Sequence, residues 1–174
     1  SVLKSLSISY KNSYTIKTIQ KLKNYSSIKI IGMGGSILGT ESIYDFLKDK
    51  IKKNFYFINN LDQKTINKKN NRSINLIVSK SGNTLETISN LNVHLKKTDK
   101  NIFITEDKNN YLSTFAKKLK AEIIHHNNFI GGRYSVLSEV GMLPAELMGL
   151  NPKKFKQLNY LIKNKKFIHE LTTN

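Results

Sequence analysis

The sequence contains no cysteine, only two arginines (Arg72 and Arg133), two prolines, and twelve acidic residues against 29 basic ones. Without cysteine there is no disulfide framework, no thiolate metal site and no cysteine nucleophile, which fits a reducing compartment. No apolar run approaches the roughly 18 residues needed to span a bilayer, and residues 1–10 lack the basic start, apolar core and small-residue cleavage site of a secretory signal. These absences read as a soluble, cytoplasmic chain with no membrane partner.

The deficit of acids leaves a formal net charge of +17 over 174 residues. Such a charge invites a nucleic-acid reading, because lysines that neutralise phosphates release counterions and drive binding. Yet the lysines are scattered among abundant asparagine and isoleucine, the pattern that AT-rich codons impose on a whole proteome. Arginine, whose planar fork suits bases and phosphates, is almost missing. The composition therefore points away from nucleic acid as a partner. The length is that of about one domain at roughly 150 residues each, long enough to bury a substantial core.

Seven of the nine glycines fall in three short segments: Gly32-Met33-Gly34-Gly35-Ser36-Ile37-Leu38-Gly39, Ser79-Lys80-Ser81-Gly82-Asn83-Thr84-Leu85-Glu86-Thr87, and Gly131-Gly132-Arg133-Tyr134-Ser135. Glycine is used where a loop needs positive φ or close approach to a ligand, so the clustering points to one site.

Short β-branched and aromatic runs at 28–31, 55–58, 74–78, 102–105 and 122–125 read as strands, each apolar enough to be buried on both faces. Between them lie helical patterns: 36–48, with Ile37, Ile43, Phe46 and Leu47 on one side; 83–96, with Leu85, Ile88, Leu91 and Leu95; and 110–120, with Leu112, Phe115 and Leu119. A short polar helix fits 61–71, and two further helices fit 135–148, around Pro144, and 152 to about 163, with Asn151 as cap and Pro152 in the first turn. A polar break at 163–166 precedes a last amphipathic stretch. Strand and helix in alternation predict a three-layer, doubly wound α/β fold, with a mostly parallel five-stranded sheet and helices on both faces.

In open parallel sheets, ligands bind beyond the carboxyl ends of the strands, where strand order reverses. The first two glycine motifs occupy such ends. Ser36 is expected to open a helix, offering unpaired N–H groups and a positive dipole end to an anion, while Gly34 and Gly35 let it approach the main chain. Ser79, Ser81 and Thr84 bring hydroxyls to a second helix start, with Gly82 relieving the turn; the plainer reading is capping of that helix. Two familiar nucleotide patterns fail. Ile37 stands where G-x-G-x-x-G needs its third glycine, and Thr40 and Glu41 stand where a P-loop needs lysine and serine or threonine. Arg133 stands out because a site that needs a permanent planar charge cannot use lysine instead; pairing with a surface carboxylate is the plainer reading.

Taken together, the three motifs, with Asn59-Asn60-Leu61-Asp62 after the second strand and Gly141-Met142-Leu143-Pro144-Ala145 after the arginine, resemble the amino-terminal half of the glucose-6-phosphate isomerase family over about residues 28–152. The Ser79–Thr87 motif alone resembles only sugar-isomerase (SIS-type) phosphosugar domains; the Gly131–Ser138 segment narrows the likeness. The resemblance implies interconversion of glucose 6-phosphate and fructose 6-phosphate through a cis-enediolate, with a hexose 6-phosphate as partner and neither metal nor organic cofactor. It also implies that Ser79, Ser81 and Thr84 hold the phosphate with Lys80 beside it, that Gly34, Gly35, Ser36 and Gly132 line the sugar pocket, and that Arg133 stabilises the enediolate. Glu86 matches a family glutamate that orders the site; a carboxylate complementing the helix dipole is the plainer role.

Two departures from the family pattern carry weight. Asn83 stands where threonine is common, a change that retunes one phosphate contact. The family's glutamate base, ring-opening histidine and late lysine lie further along than this chain extends. Proton transfer between carbons needs a positioned base, and His94, His125, His126 and His169 match no motif, reading instead as structural or exposed. The expectation is thus a single sugar-phosphate-binding domain over 1–174, with a core at about 28–150 and a helical extension over 151–174, lacking the family's second domain, inactive alone and homodimeric when full length. A non-catalytic sugar-phosphate sensor, a bifunctional enzyme also accepting mannose 6-phosphate, and a basic nucleic-acid-binding domain stay open as alternatives.

Overall fold

The computed structural model describes residues 5–61, 73–96, 98–157, 160 and 163–173. Five strands, β1 (Ser27–Gly32), β2 (Asn54–Ile58), β3 (Ser73–Val78), β4 (Lys100–Glu106) and β5 (Glu122–His126), form one sheet in the order β2-β1-β3-β4-β5. Every pairing is parallel, so the sheet expected to be mostly parallel is wholly so. Helices on both faces bury its apolar strands, the α/β solution for a parallel sheet.

One face carries Ile28, Ile30, Ile74, Leu76, Ile102 and Ile104 against residues of α1 (Ile16–Leu22), α2 (Leu38–Leu47) and α5 (Glu139–Leu147). The other carries Ile31, Ile77 and Phe103 against residues of α3 (Leu85–His94) and α4 (Tyr111–Lys118). The chain then forms the short α6 (Pro152–Phe155) and a last helix, α7 (Lys165–Thr173). Helix α1 has no counterpart among the sequence expectations; Thr15 caps it by accepting from Thr18 N–H.

Several expectations are corrected. β2 and β5 are edge strands, with Asn54 and His125 exposed, so only the three inner strands are buried on both faces. In α2, Ile43 and Tyr44 meet the core, whereas Phe46 is 88% exposed; in α3, Leu85 is 73% exposed at the first turn. Helix α5 starts at Glu139 and not at 135, because residues 132–134 form a separate 3-10 turn and Ser138 caps the helix. Pro144 leaves Val140 C=O without its helical donor, and Thr40 Oγ1 donates to that carbonyl at 3.4 Å. Helix α6 ends at Phe155, where Lys156 leaves it and lays its ammonium over the Tyr10 ring; of the rest of the helix expected to about 163, the described residues Tyr160 and Lys163 are helical after that break. The expected helix over 61–71 lies outside the described residues, apart from Leu61.

Candidate functional site

The order β2-β1-β3 puts the chain reversal of this sheet at β1, with Gly32 in register with Val78 at the last rung. The loops leaving β1 and β3 therefore flank one crevice, the position where doubly wound sheets bind ligands. The first loop turns through Gly34, at φ +53°, into a 3-10 turn over Gly34–Ser36, and α2 begins only at Leu38. Ser36 thus sits in the turn and does not open the helix, because Ile37 is the residue at the helix boundary.

Gly35 has a steric reason to be glycine. A Cβ there would stand 2.3 Å from the carbonyl carbon and oxygen of Gly132 and 2.7 Å from the Arg133 nitrogen. The first and third motifs, remote in sequence, therefore touch backbone to backbone. Ser135, fully buried, ties them together: its hydroxyl lies 2.6 Å from Gly132 O and 3.0 Å from Gly35 O, both acceptors. Arg133 projects from the 3-10 turn Gly132–Tyr134 and is exposed. Among the described residues it has no ion pair, so the surface-carboxylate reading finds no partner there.

The second motif makes a hydroxyl cluster after β3. Ser79 Oγ is 2.8 Å from Thr84 Oγ1 and accepts from Gly82 N–H at 3.2 Å; Ser81 Oγ is 3.5 Å from Thr84 Oγ1 and accepts from Asn83 N–H at 3.3 Å. Ser79 is buried, Thr84 half-buried and Ser81 exposed, so the cluster runs from an anchored base to an open lip. Thr84 occupies the N-cap position of α3, yet its side chain makes no capping hydrogen bond. The plain capping reading is therefore not what the hydroxyl does, and the first N–H groups of α3 stay available to an anion.

The cradle is buttressed from behind by the start of α4. Gly82, at φ +67°, lies against Asn110, whose carbonyl oxygen would be 2.0 Å from a Cβ at that position. Asn110 accepts from Ser113 N–H as helix cap at 2.8 Å and donates to Thr105 Oγ1 at 3.1 Å, and Thr105 donates to Lys80 C=O at 3.2 Å. Asn83 turns its carbonyl to Tyr111 N–H at 2.9 Å, capping α4. The asparagine in place of threonine thus links the loop to its support.

Lys80 donates to Asn128 C=O at 2.8 Å and pairs with Glu106 at 3.2 Å; Lys108 joins the same carboxylate at 2.9 Å. Burial alone would raise the Glu106 pKa, but hydrogen bonds from Lys108 and Lys80 outweigh it and hold the group below the usual value. Glu86 lies half-buried in the first turn of α3, where it complements the dipole, with no ion pair among the described residues.

Of the histidines, His94 closes α3 and is buried, with its pKa lowered by burial and by the charge of Lys29. His125 is exposed, 3.6 Å from Asp107, and His169 is exposed in α7. His126 is buried 3.2 Å from Glu139. Glu139 also accepts from Tyr10 O–H at 2.8 Å and Asn127 N–H at 2.7 Å. Burial pushes its carboxyl up, and those hydrogen bonds, His126 first, bring it below the ordinary range. Sequence reading missed this network and Asn110. Asn110 had a local signal, a capping residue ahead of an apolar period; Tyr10 and Glu139 had none.

Among the described residues no helix is long and apolar enough to cross a membrane, and no group of three or more His, Asp and Glu forms a metal-binding cluster.

A family model described as phosphoglucose isomerase matches residues 6–166. Glucose-6-phosphate isomerase of Methanocaldococcus jannaschii is 38% identical over 147 residues, covering 78% of this chain and 36% of that protein. The enzyme of the same name from Acholeplasma laidlawii is 35% identical over 161 residues, covering 79% and 37%. The chain thus spans little more than a third of the length of these curated relatives. Among solved structures, a hypothetical protein from Thermus thermophilus is similar at TM-score 0.66 and 22% identity, over 87% of this chain and 40% of that one. Tagatose-6-phosphate ketose/aldose isomerase from Escherichia coli is similar at TM-score 0.58 and 14% identity, over 84% and 43%. These two likenesses are of fold.

Proposed function

Because the chain belongs to the phosphoglucose isomerase family, we propose that it is the amino-terminal, phosphate-binding domain of an aldose–ketose isomerase interconverting glucose 6-phosphate and fructose 6-phosphate. The observation that carries this reading is the contact of Gly35 with Gly132 and Arg133 beside the hydroxyl cluster of the next strand. That backbone contact supports a reading in which Arg133 and the hydroxyl cluster serve one crevice.

In this reading the substrate phosphate accepts hydrogen bonds from Ser81, Thr84 and the first N–H groups of α3, while Ser79 holds the loop from beneath. Lys80, its ammonium shared by Glu106 and Asn128, adds positive potential more than contact, and Glu86 orders the helix start. The open-chain sugar lies along Gly34, Gly35, Ser36 and Gly132. A base removes the proton from C2 of the aldose; the C–H electron pair forms the C1=C2 bond of the cis-enediolate while the carbonyl pair moves onto O1. The O2 hydroxyl proton passes to O1, and the base returns its proton to C1 as the carbonyl forms at C2. Arg133 faces the oxygens where the negative charge grows, and a preorganised cation there lowers the barrier more than water can. No residue of this chain matches the base, so the reading assigns the base, the ring-opening histidine and the lysine to sequence beyond it. The complete enzyme would act as a cytoplasmic homodimer.

Calorimetric titration of fructose 6-phosphate into the 174-residue chain, beside unphosphorylated fructose, tests the cradle. Phosphate-dependent binding is expected, weakened about tenfold by Ser81→Ala, with no turnover in the same sample. In the full-length enzyme Arg133→Ala should lower kcat by about 10²–10³. Binding that ignores the phosphate, or an Arg133→Ala enzyme with unchanged kcat, overturns the proposal.

A further inference from the structure

A cavity of about 730 Å³ opens among the segments that enter β1 and β2, the end of α5, the start of α6 and the amino-terminal segment. It lies at the amino-terminal side of the sheet, whereas the glycine motifs lie at the carboxyl ends of the strands, so the two sites are separate. Six of its seventeen lining residues are lysines: Lys23, Lys50, Lys52, Lys53, Lys153 and Lys156. The chain as a whole has 29 lysines and arginines in 174 residues, so the lining is about twice as rich in cations as the chain average.

The positive charge is poorly compensated. Glu146 is the one carboxylate among those lining residues, and it accepts the Tyr14 hydroxyl at 2.8 Å. Lys156 is only 4% exposed; its ammonium sits 4.6 Å from the centre of the Tyr10 ring, with no carboxylate ion pair among the described residues. Burial lowers its pKa, opposed by the field of Glu139 beyond Tyr10. Lys53 donates to Lys23 C=O at 2.8 Å, and burial together with the Lys23 charge lowers its pKa. Cations gathered against desolvation and each other's repulsion gain from a bound anion. Ile8, Ile19, Leu147, Met148 and Leu150 give the lining an apolar part, beside the polar Asn12 and Asn151. The volume falls in the range of organic-ligand sites and exceeds what a lone phosphate fills.

We propose that this cavity is a second ligand site, taking a small organic phosphate whose anionic groups meet the lysines and whose apolar body lies on the Leu147–Leu150 floor. The proposal does not rest on the sugar-phosphate reading of the first site.

The test is calorimetric titration of the 174-residue chain, at physiological salt and without divalent metal, with ATP, inorganic pyrophosphate and adenosine as probes. ATP is expected to bind with one-to-one stoichiometry and more tightly than pyrophosphate, and adenosine not to bind. Lys156→Met keeps the packing stem and removes the charge, and Lys53→Gln removes a more exposed one; each should weaken ATP about tenfold, the worth of one charge-assisted hydrogen bond. Ser81→Ala in the cradle should leave ATP binding unchanged. Circular dichroism melts confirm that each variant is folded, and Lys53→Gln carries the test if Lys156→Met is not. No ATP binding at millimolar concentration, equal affinity for pyrophosphate and ATP, or loss of binding in Ser81→Ala would each overturn the site.

Discussion

Gly35 and Gly132 are neighbours in space with opposite tolerances. A methyl group on Gly35 would enter the Gly132 backbone, which cannot swing aside as a side chain can, whereas a Cβ on Gly132 meets nothing within 4 Å. Gly35→Ala is therefore expected to destabilise the fold by about 1–3 kcal/mol, the usual range for overpacking, and to pry the Arg133 turn from the first loop. Gly132→Ala should change stability by less than about 0.5 kcal/mol, as at other unconstrained positions. Urea midpoints of the two variants check this; equal losses would mean that the contact yields freely. The same pair marks the limit of sequence reading. Both glycines stand in motifs, and nothing in the order of residues says which one is confined.

Helices α3 and α4 act on the site through their starts. The Ser79–Thr84 loop rests on Asn110, Thr105 and the first N–H groups of α4, Tyr111 donating to the Asn83 side chain and Leu112 to Gly82 C=O, so the cradle takes its shape from the start of that helix. Asn110→Ala removes that cap, at about 1 kcal/mol for a helix cap, and opens space under Gly82. Under the proposed function, a full-length enzyme carrying Asn110→Ala should show a raised KM for fructose 6-phosphate with little change in kcat, since Arg133 sits on the other loop. Asn110→Asp keeps the cap acceptor but loses the donation to Thr105, so it should recover only the cap's share of the stability. A kcat loss equal to the KM effect would show that the two loops are coupled. Periodicity located α3 and α4 well, because an amphipathic stripe is written within a few residues. It misjudged Phe46 and Leu85, because whether a helix's apolar residue faces the sheet depends on the angle at which the helix docks.

Across the whole molecule, the sheet carries a polar row that no apolar pattern announces. Lys29, Asn75 and Asn101 stand at matching positions of β1, β3 and β4, all buried, and Asp99 gathers Lys29 at 3.3 Å, Asn75 at 3.3 Å and Ser73 at 2.7 Å. Removing one partner leaves a buried charge, so Asp99→Ala should cost about 3–5 kcal/mol; Lys29→Met with Asp99→Leu should recover much of that, as replaced buried ion pairs do. Thermal melts of the single and double variants decide it, and a single variant as stable as the parent would mean the row is solvated. What the sequence determined alone was what is local: five strands, the main helices, the failed nucleotide patterns and three loops built for close approach. Each is set by residues within a few positions of one another. The strand order that joins the loops, the Gly35–Gly132 contact, the buried Lys29 row and the Tyr10–Glu139 bond between residues 129 positions apart were decided only by tertiary structure, because parallel pairing and helix docking choose partners by shape and burial over the entire chain, and no short window of sequence contains both partners.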